Sequence, residues 1–148
     1  PREERQPYAG DWYRQPGLVQ SAYFGMFEVI DLCTHVGCVP VVTVFHLEDP
    51  EDMGDFVEYC WGDPRTTKWG AMRAKDGHPE PYNVTHVEIG NEVAITPFEG
   101  GPGEELLSAV KNISAAMEAR AKKVGAPPFS YAIGNNLIDD YLTNTTIR

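Results

Sequence analysis

The sequence predicts an α/β fold on a parallel sheet, and three observations carry it. Helical and strand patterns alternate along the chain as helix, strand, helix, strand, helix, strand, which implies βαβ units with right-handed crossovers in one sheet. The first strand pattern, Val39 to Phe45, is apolar on both alternating faces, as in a parallel strand with helices on one side and a core on the other. The segment Val87-Glu88-Ile89-Gly90-Asn91-Glu92 reads as a buried strand that ends with an amide and a carboxylate side by side.

The first helix spans Tyr23 to Val36, where Phe24, Phe27, Val29, Ile30, Leu32 and Cys33 recur at helical spacing and Gly37 supplies a left-handed stop. The strand from Val39 to Phe45 follows, with Pro40 tolerated near its start. Asp49 then caps a second helix that has Pro50 at its first position and Glu51 and Asp52 in its first turn, where they favour the helix dipole. This helix is expected to run to about Trp61, burying Met53, Phe56, Val57 and Cys60. From Gly62 to Asn83 no period is visible, and the stretch reads as a long loop carrying Trp69, Met72, Arg73 and His78. A strand over Val84 to Ile89 comes next. The third helix starts near Glu104 and ends at Gly125 and Pro127, with Leu106, Leu107, Val110, Ile113, Ala116, Met117 and Ala121 at the right intervals. The last strand, Phe129 to Ile133, leads into Gly134-Asn135-Asn136. No internal repeat or low-complexity tract interrupts this order.

The 148 residues suffice for one domain with a real core, but fall well short of the roughly 250 typical of a complete eight-stranded barrel. With 42% hydrophobic and 23% charged residues, the composition is that of a globular protein. A net charge of -10, from 22 acidic against 12 basic residues, repels phosphate backbones and anionic lipid, which argues against nucleic-acid or membrane partners. No apolar run approaches a membrane span. The chain opens on Pro1 within a charged stretch, and the expectation is a mature product or a piece of a longer protein. Sequons at Asn83, Asn112 and Asn144 are compatible with a secreted, extracellular protein. Cys33, Cys38 and Cys60 are odd in number and fit no metal-ligand spacing, so they are expected as buried free thiols. The four histidines likewise show no paired spacing, which argues against a metal site.

In barrel enzymes catalytic groups project from the carboxyl ends of parallel strands. A carboxyl group there can protonate a glycosidic oxygen while a neighbouring amide holds a sugar hydroxyl. Glu92 is accordingly the candidate catalytic residue and Asn91 the candidate substrate-binding amide. Either could also be an ordinary polar residue at a strand end. Glu88 shares a strand face with His86 and Gly90, opposite Val87 and Ile89. It reads as structural support for the site, needing a hydrogen-bonding or cationic partner. His46, with Phe45, follows the first strand and is placed to line a sugar site, although a loop histidine is also a common surface residue. Asn135 and Asn136 hold the equivalent place after the last strand. Trp69 is suited either to stacking on a sugar or to pinning its loop.

An ordered series of segments resembles the catalytic barrel of family-51 α-L-arabinofuranosidases. The series is Phe24-Gly25-Met26-Phe27-Glu28, Leu32-Cys33 through Val44, Phe56-Val57-Glu58-Tyr59-Cys60, Lys68-Trp69-Gly70, Arg73-Ala74, Gly77-His78-Pro79-Glu80-Pro81-Tyr82-Asn83-Val84 and Glu88-Ile89-Gly90-Asn91-Glu92. It covers about residues 10 to 135. The resemblance implies that residues 1–148 are a partial (β/α)8 TIM barrel, about strands 3 to 5 with their helices, with the N-terminal and C-terminal parts of the barrel missing. It also implies that Glu92 is the general acid/base of a retaining hydrolase releasing terminal α-L-arabinofuranosyl residues from polysaccharides. The nucleophile, a second Glu at the end of strand seven, would lie outside the chain. Two departures concern sugar contacts: His86-Val87 stand where the family has an aromatic residue, and Phe45-His46 where it has an Asn after the third strand. Two alternatives stay open, a noncatalytic carbohydrate-binding or interaction remnant, and another retaining glycosidase of the clan such as a glucuronidase or xylosidase.

Overall fold

The computed structural model describes residues 8–9, 19–20, 25–91 and 103–134. The chain divides into two compact units, Pro1–Pro40 and Val41–Arg148. In the first, β1 (Tyr8–Ala9) pairs antiparallel with β2 (Val19–Gln20), a contact too short to leave a sequence pattern. Helix α1 (Met26–Val36) begins where the Glu28 carboxylate accepts the Gly25 N–H at 2.8 Å, and it stops at Gly37 in the left-handed conformation, φ 78. Ile30 is buried, while Val29 and Leu32, expected on the same apolar side, are exposed.

The second unit holds β3 (Val41–Val44), α2 (Pro50–Trp61), α3 (Lys68–Lys75), β4 (His86–Asn91), α4 (Gly103–Val124) and β5 (Ser130–Gly134). The three strands form one parallel sheet in the order β3-β4-β5. Helix α2 keeps its expected bounds because both ends are set locally. Asp49 accepts the Glu51 N–H at 2.8 Å with Pro50 in the first turn, and Gly62 donates back to the Glu58 carbonyl at 2.7 Å. The core lies between the sheet and the helices. Val84, Val87 and Ile89 from β4 and the chain before it, Val57 and Cys60 from α2, and Val110, Ile113 and Met117 from α4 are all 0 or 1% exposed. Each such aliphatic side chain contributes about 1.5–3 kcal/mol. On β5, Tyr131 points to the same side and donates to Glu118 of α4 at 3.2 Å.

Three sequence expectations need correction. The buried side of α2 is Gly54, Val57, Glu58 and Cys60, with Met53 and Phe56 only half-buried. Gly54 faces α4, where an added Cβ would meet Ala116 O and Arg120 Cβ at 3.7 Å, an ordinary packing distance. Glu58 is buried because its carboxylate accepts from Arg120 at 2.8 Å and from the Trp69 N–H at 3.2 Å. Only one face of β3 is covered: Val42 is 5% exposed, whereas Val41 is 59% exposed and Thr43 is also open. The cysteines are all free, but only Cys60 is buried; Cys33 is half-buried and Cys38 exposed.

The stretch from Gly62 to Asn83 is the largest surprise, because it contains α3 and is tied down by a buried cation. Arg73 is 0% exposed and donates to four main-chain carbonyls, those of Tyr59 (2.7 Å), Pro79 (2.9 Å), Gly62 (3.0 Å) and His78 (3.0 Å). Thr67 caps α3 by accepting the Gly70 N–H. Trp69 is half-buried with Lys68 Nζ 4.2 Å from its ring centre, in keeping with packing rather than a free stacking platform. The chain leading into β4 is held against the end of α2: Trp61 Nε1 donates to Val84 O at 2.8 Å, and Tyr82 N–H to Cys60 O at 3.1 Å. Gly62 and Gly70 sit back to back, and a Cβ on Gly70 would strike the Gly62 carbonyl and the Thr67 hydroxyl. Backbone cannot step aside as a flexible side chain can. Gly70→Ala is therefore expected to lower unfolding free energy by about 1–3 kcal/mol in a denaturant titration. Gly54→Ala, also in a helix but meeting only ordinary contacts at 3.7 Å, serves as the control without a clash.

Candidate active site

Parallel pairing brings the carboxyl ends of the strands to one edge. Val44 of β3 is in register with Ile89 of β4, and Asn91 with Gly134 of β5. Past that edge come Phe45 and His46 after β3, and Asn91 at the end of β4. Glu92 and Asn135 each follow directly in sequence on a described strand end, and both lie outside the described residues, as does Asn136.

The tip of β4 is not a simple continuation of the strand. Between the pairs Glu88↔Ala132 and Asn91↔Gly134, β4 advances three residues while β5 advances two, so β4 carries one extra residue. Gly90 takes up the bulge at φ 76, a conformation costly for any residue with a Cβ. Strict alternation would put Asn91 on the covered side with Val87 and Ile89. Instead Asn91 is exposed. A glycine inside a strand pattern is the signal that could have announced this.

Glu88 lies on the other face, half-buried, and accepts a hydrogen bond from its register partner Thr43 at 2.6 Å. This is the partner that the sequence argument requires, though neither spacing nor pattern singles out Thr43. His86, on the same face, has Nδ1 2.9 Å from the Thr85 hydroxyl. His46 is half-buried and sits edge-on to Phe45, with ring centres 4.6 Å apart. Its Nδ1 is buried without a hydrogen-bond partner. Thus the strand ends bring His46 and Asn91 to one edge, with Glu88 behind them on the strand. No group of three or more His, Cys, Asp or Glu among the described residues could hold a metal ion, and no described helix is long and apolar enough to cross a membrane.

Residues 1–124 match the profile of the alpha-L-arabinofuranosidase 1 domain. The chain belongs to this family. A relative from Streptomyces chartreusis, an extracellular exo-alpha-L-arabinofuranosidase, is 33% identical over 136 residues, covering 80% of this chain. Alpha-L-arabinofuranosidase 2 of Arabidopsis thaliana is 29% identical over 88% of the chain. The chain spans only 15% and 22% of the lengths of these two relatives. Among solved structures, the arabinofuranosidase of Thermotoga maritima in its arabinose complex superposes with a TM-score of 0.66 at 25% identity. The family-51 enzyme of Thermotoga petrophila gives 0.64 at 28%. Each comparison covers 90% of this chain and 26% of the other. The family resemblance carried by the sequence motifs is therefore shown, and the observed α/β architecture with its small parallel sheet agrees with these structures.

Proposed function

We propose that residues 1–148 form part of the catalytic (β/α)8 barrel of a retaining α-L-arabinofuranosidase, contributing about strands three to five with their helices. Family membership together with the bulged tip of β4, which turns Asn91 outward immediately before Glu92, supports this reading most directly. The open face of β3, with Val41 59% and the following Phe45 56% exposed, is the face a complete barrel would enclose.

In the proposed reaction Glu92 protonates the oxygen of the leaving group while a second carboxylate, from a strand these residues do not include, attacks the anomeric carbon. The carboxylate forms a glycosyl ester as the glycosidic bond breaks. Glu92, now ionised, takes a proton from water, whose oxygen displaces the ester and releases arabinose with its configuration retained. Asn91 donates to a sugar hydroxyl. His46 and Asn135 border the sugar from the neighbouring strands, and Glu88, held by Thr43, stiffens the strand that carries the acid. The substrate is an arabinose-containing oligosaccharide or polysaccharide, and this chemistry needs no cofactor or metal. The extracellular Streptomyces relative and the exposed sequon residues Asn83 and Asn112 support secretion.

The test is hydrolysis of aryl α-L-arabinofuranoside, β-xyloside and β-glucuronide by the full-length protein, with product configuration followed by NMR. The arabinofuranoside is expected to lead by at least about a hundredfold in kcat/KM. Preference for either other sugar would reassign the substrate, and failure to turn over any would leave the noncatalytic alternative. A second expected outcome concerns the bulge. Gly90→Val forces a β-branched residue into the left-handed region at about 1–2 kcal/mol and re-aims the residues after it. In the full-length enzyme kcat should fall up to about a hundredfold, with a smaller loss in Tm. Wild-type kcat in that variant would mean the bulge does not aim the catalytic group.

A further inference from the structure

The end of α1 brings the main chains of two cysteines together. Gly37 is left-handed, its N–H donates to Thr34 O at 3.3 Å, and the Cys38 N–H donates to Cys33 O at 2.8 Å. This pair of bonds is the Schellman arrangement, in which the second residue past the helix folds back on a side chain of the last turn. A hydrophobic contact usually occupies those two positions, but here they are Cys33 and Cys38. Standard bond lengths across the 2.8 Å hydrogen bond keep the two Cα atoms within about 6.7 Å. Disulfides join Cα atoms about 4.4 to 6.8 Å apart. Both thiols are free, Cys38 exposed and Cys33 half-buried. Cys60 is a poor competitor: it is buried, and burial pushes its thiol up to about 12, so it stays protonated and unreactive.

We propose that Cys33 and Cys38 are a disulfide-forming pair that staples the C-terminal turn of α1, oxidised by a small-molecule disulfide of the glutathione class. The exposed Cys38 thiolate attacks one sulfur of the oxidant and expels the first glutathione thiolate, leaving a mixed disulfide. The Cys33 thiolate then attacks the Cys38 sulfur and expels the second. The two protons lost by the protein thiols end on two glutathione molecules, and two electrons pass to the oxidant. The inference concerns α1 alone and stands independently of the catalytic reading. It suits an oxidising compartment, where such bonds persist.

The experiment treats the reduced, folded full-length protein with glutathione disulfide and follows the masses and thiol labelling of the peptides that carry Cys33, Cys38 and Cys60. The expected Cys33–Cys38 product has lost two hydrogen atoms and carries no bound glutathione. Of these three residues, alkylation after denaturation should then label Cys60 alone, and Cys33→Ser should instead retain one glutathione on Cys38. A lasting glutathione adduct on the unsubstituted chain, a disulfide-linked dimer, a bridge that includes Cys60, or no reaction would each overturn the proposal. Because the alkylation pattern is read on the unsubstituted chain, a misfolded variant does not obscure the answer.

Discussion

On the proposed mechanism, Glu92→Gln in the full-length protein is expected to reduce kcat/KM by about 10²- to 10⁴-fold on natural arabinofuranosides, whose leaving alcohols need a proton to depart. The loss should shrink sharply with a nitrophenyl leaving group, because a stable phenolate departs without assistance. With that substrate the first half-reaction proceeds, the glycosyl ester forms, and its hydrolysis stalls for want of a base. A burst of nitrophenol followed by a slow steady state, with KM falling alongside kcat, is the kinetic signature. Azide, which needs no general base, should restore turnover and give an arabinosyl azide of retained configuration. The discriminating comparison is between the two leaving groups: equal losses on both would assign Glu92 a structural role, and no loss on either would remove it from the mechanism. Amide for carboxyl preserves shape, so an unchanged Tm separates chemistry from folding.

Arg73→Met is expected to cost about 3–5 kcal/mol of unfolding free energy, a large share of the roughly 5–15 kcal/mol that holds a typical domain together. Methionine fills most of the volume but leaves the carbonyls of Tyr59, Gly62, His78 and Pro79 without their donor. Each buried carbonyl so stranded costs about 1–3 kcal/mol unless water reaches it. Partial hydration of the segment explains why the total falls below the sum of four. Arg73→Lys tests geometry against charge. A lysine offers three donors from one atom, and it cannot span acceptors that the planar guanidinium reaches from three nitrogens. Urea denaturation should place it nearer the methionine variant than the wild type. Equal stability of lysine and arginine would show that a positive charge at this site is sufficient.

What the sequence announced depended on how local its causes were. Asp49, Pro50 and Gly62 act within one turn of their own positions, so α2 could be bounded before any tertiary contact was known. Gly37 did the same for α1, and the stripe Leu106, Val110, Ile113, Met117 and Ala121 for α4. Helix α3 escaped because its buried residues are Gly70 and Arg73, which give no apolar rhythm. Its stability comes from carbonyls supplied by other segments, a feature no window over its eight residues contains. At the site, Asn91 was legible from its place at a strand tip. The mechanism of its exposure was not, since an extra residue shows only when two strands are paired. The Thr43–Glu88 bond depends on the same register.

The acceptors gathered around Arg73 also decide what fastens the start of β4. Tyr59 and Gly62 lie at the end of α2, whereas His78 and Pro79 lie on the approach to the strand. One side chain of α3 therefore clasps the exit of one helix to the entrance of the strand, so the outward-turned amide stands on a strand moored at its root as well as along its paired edges.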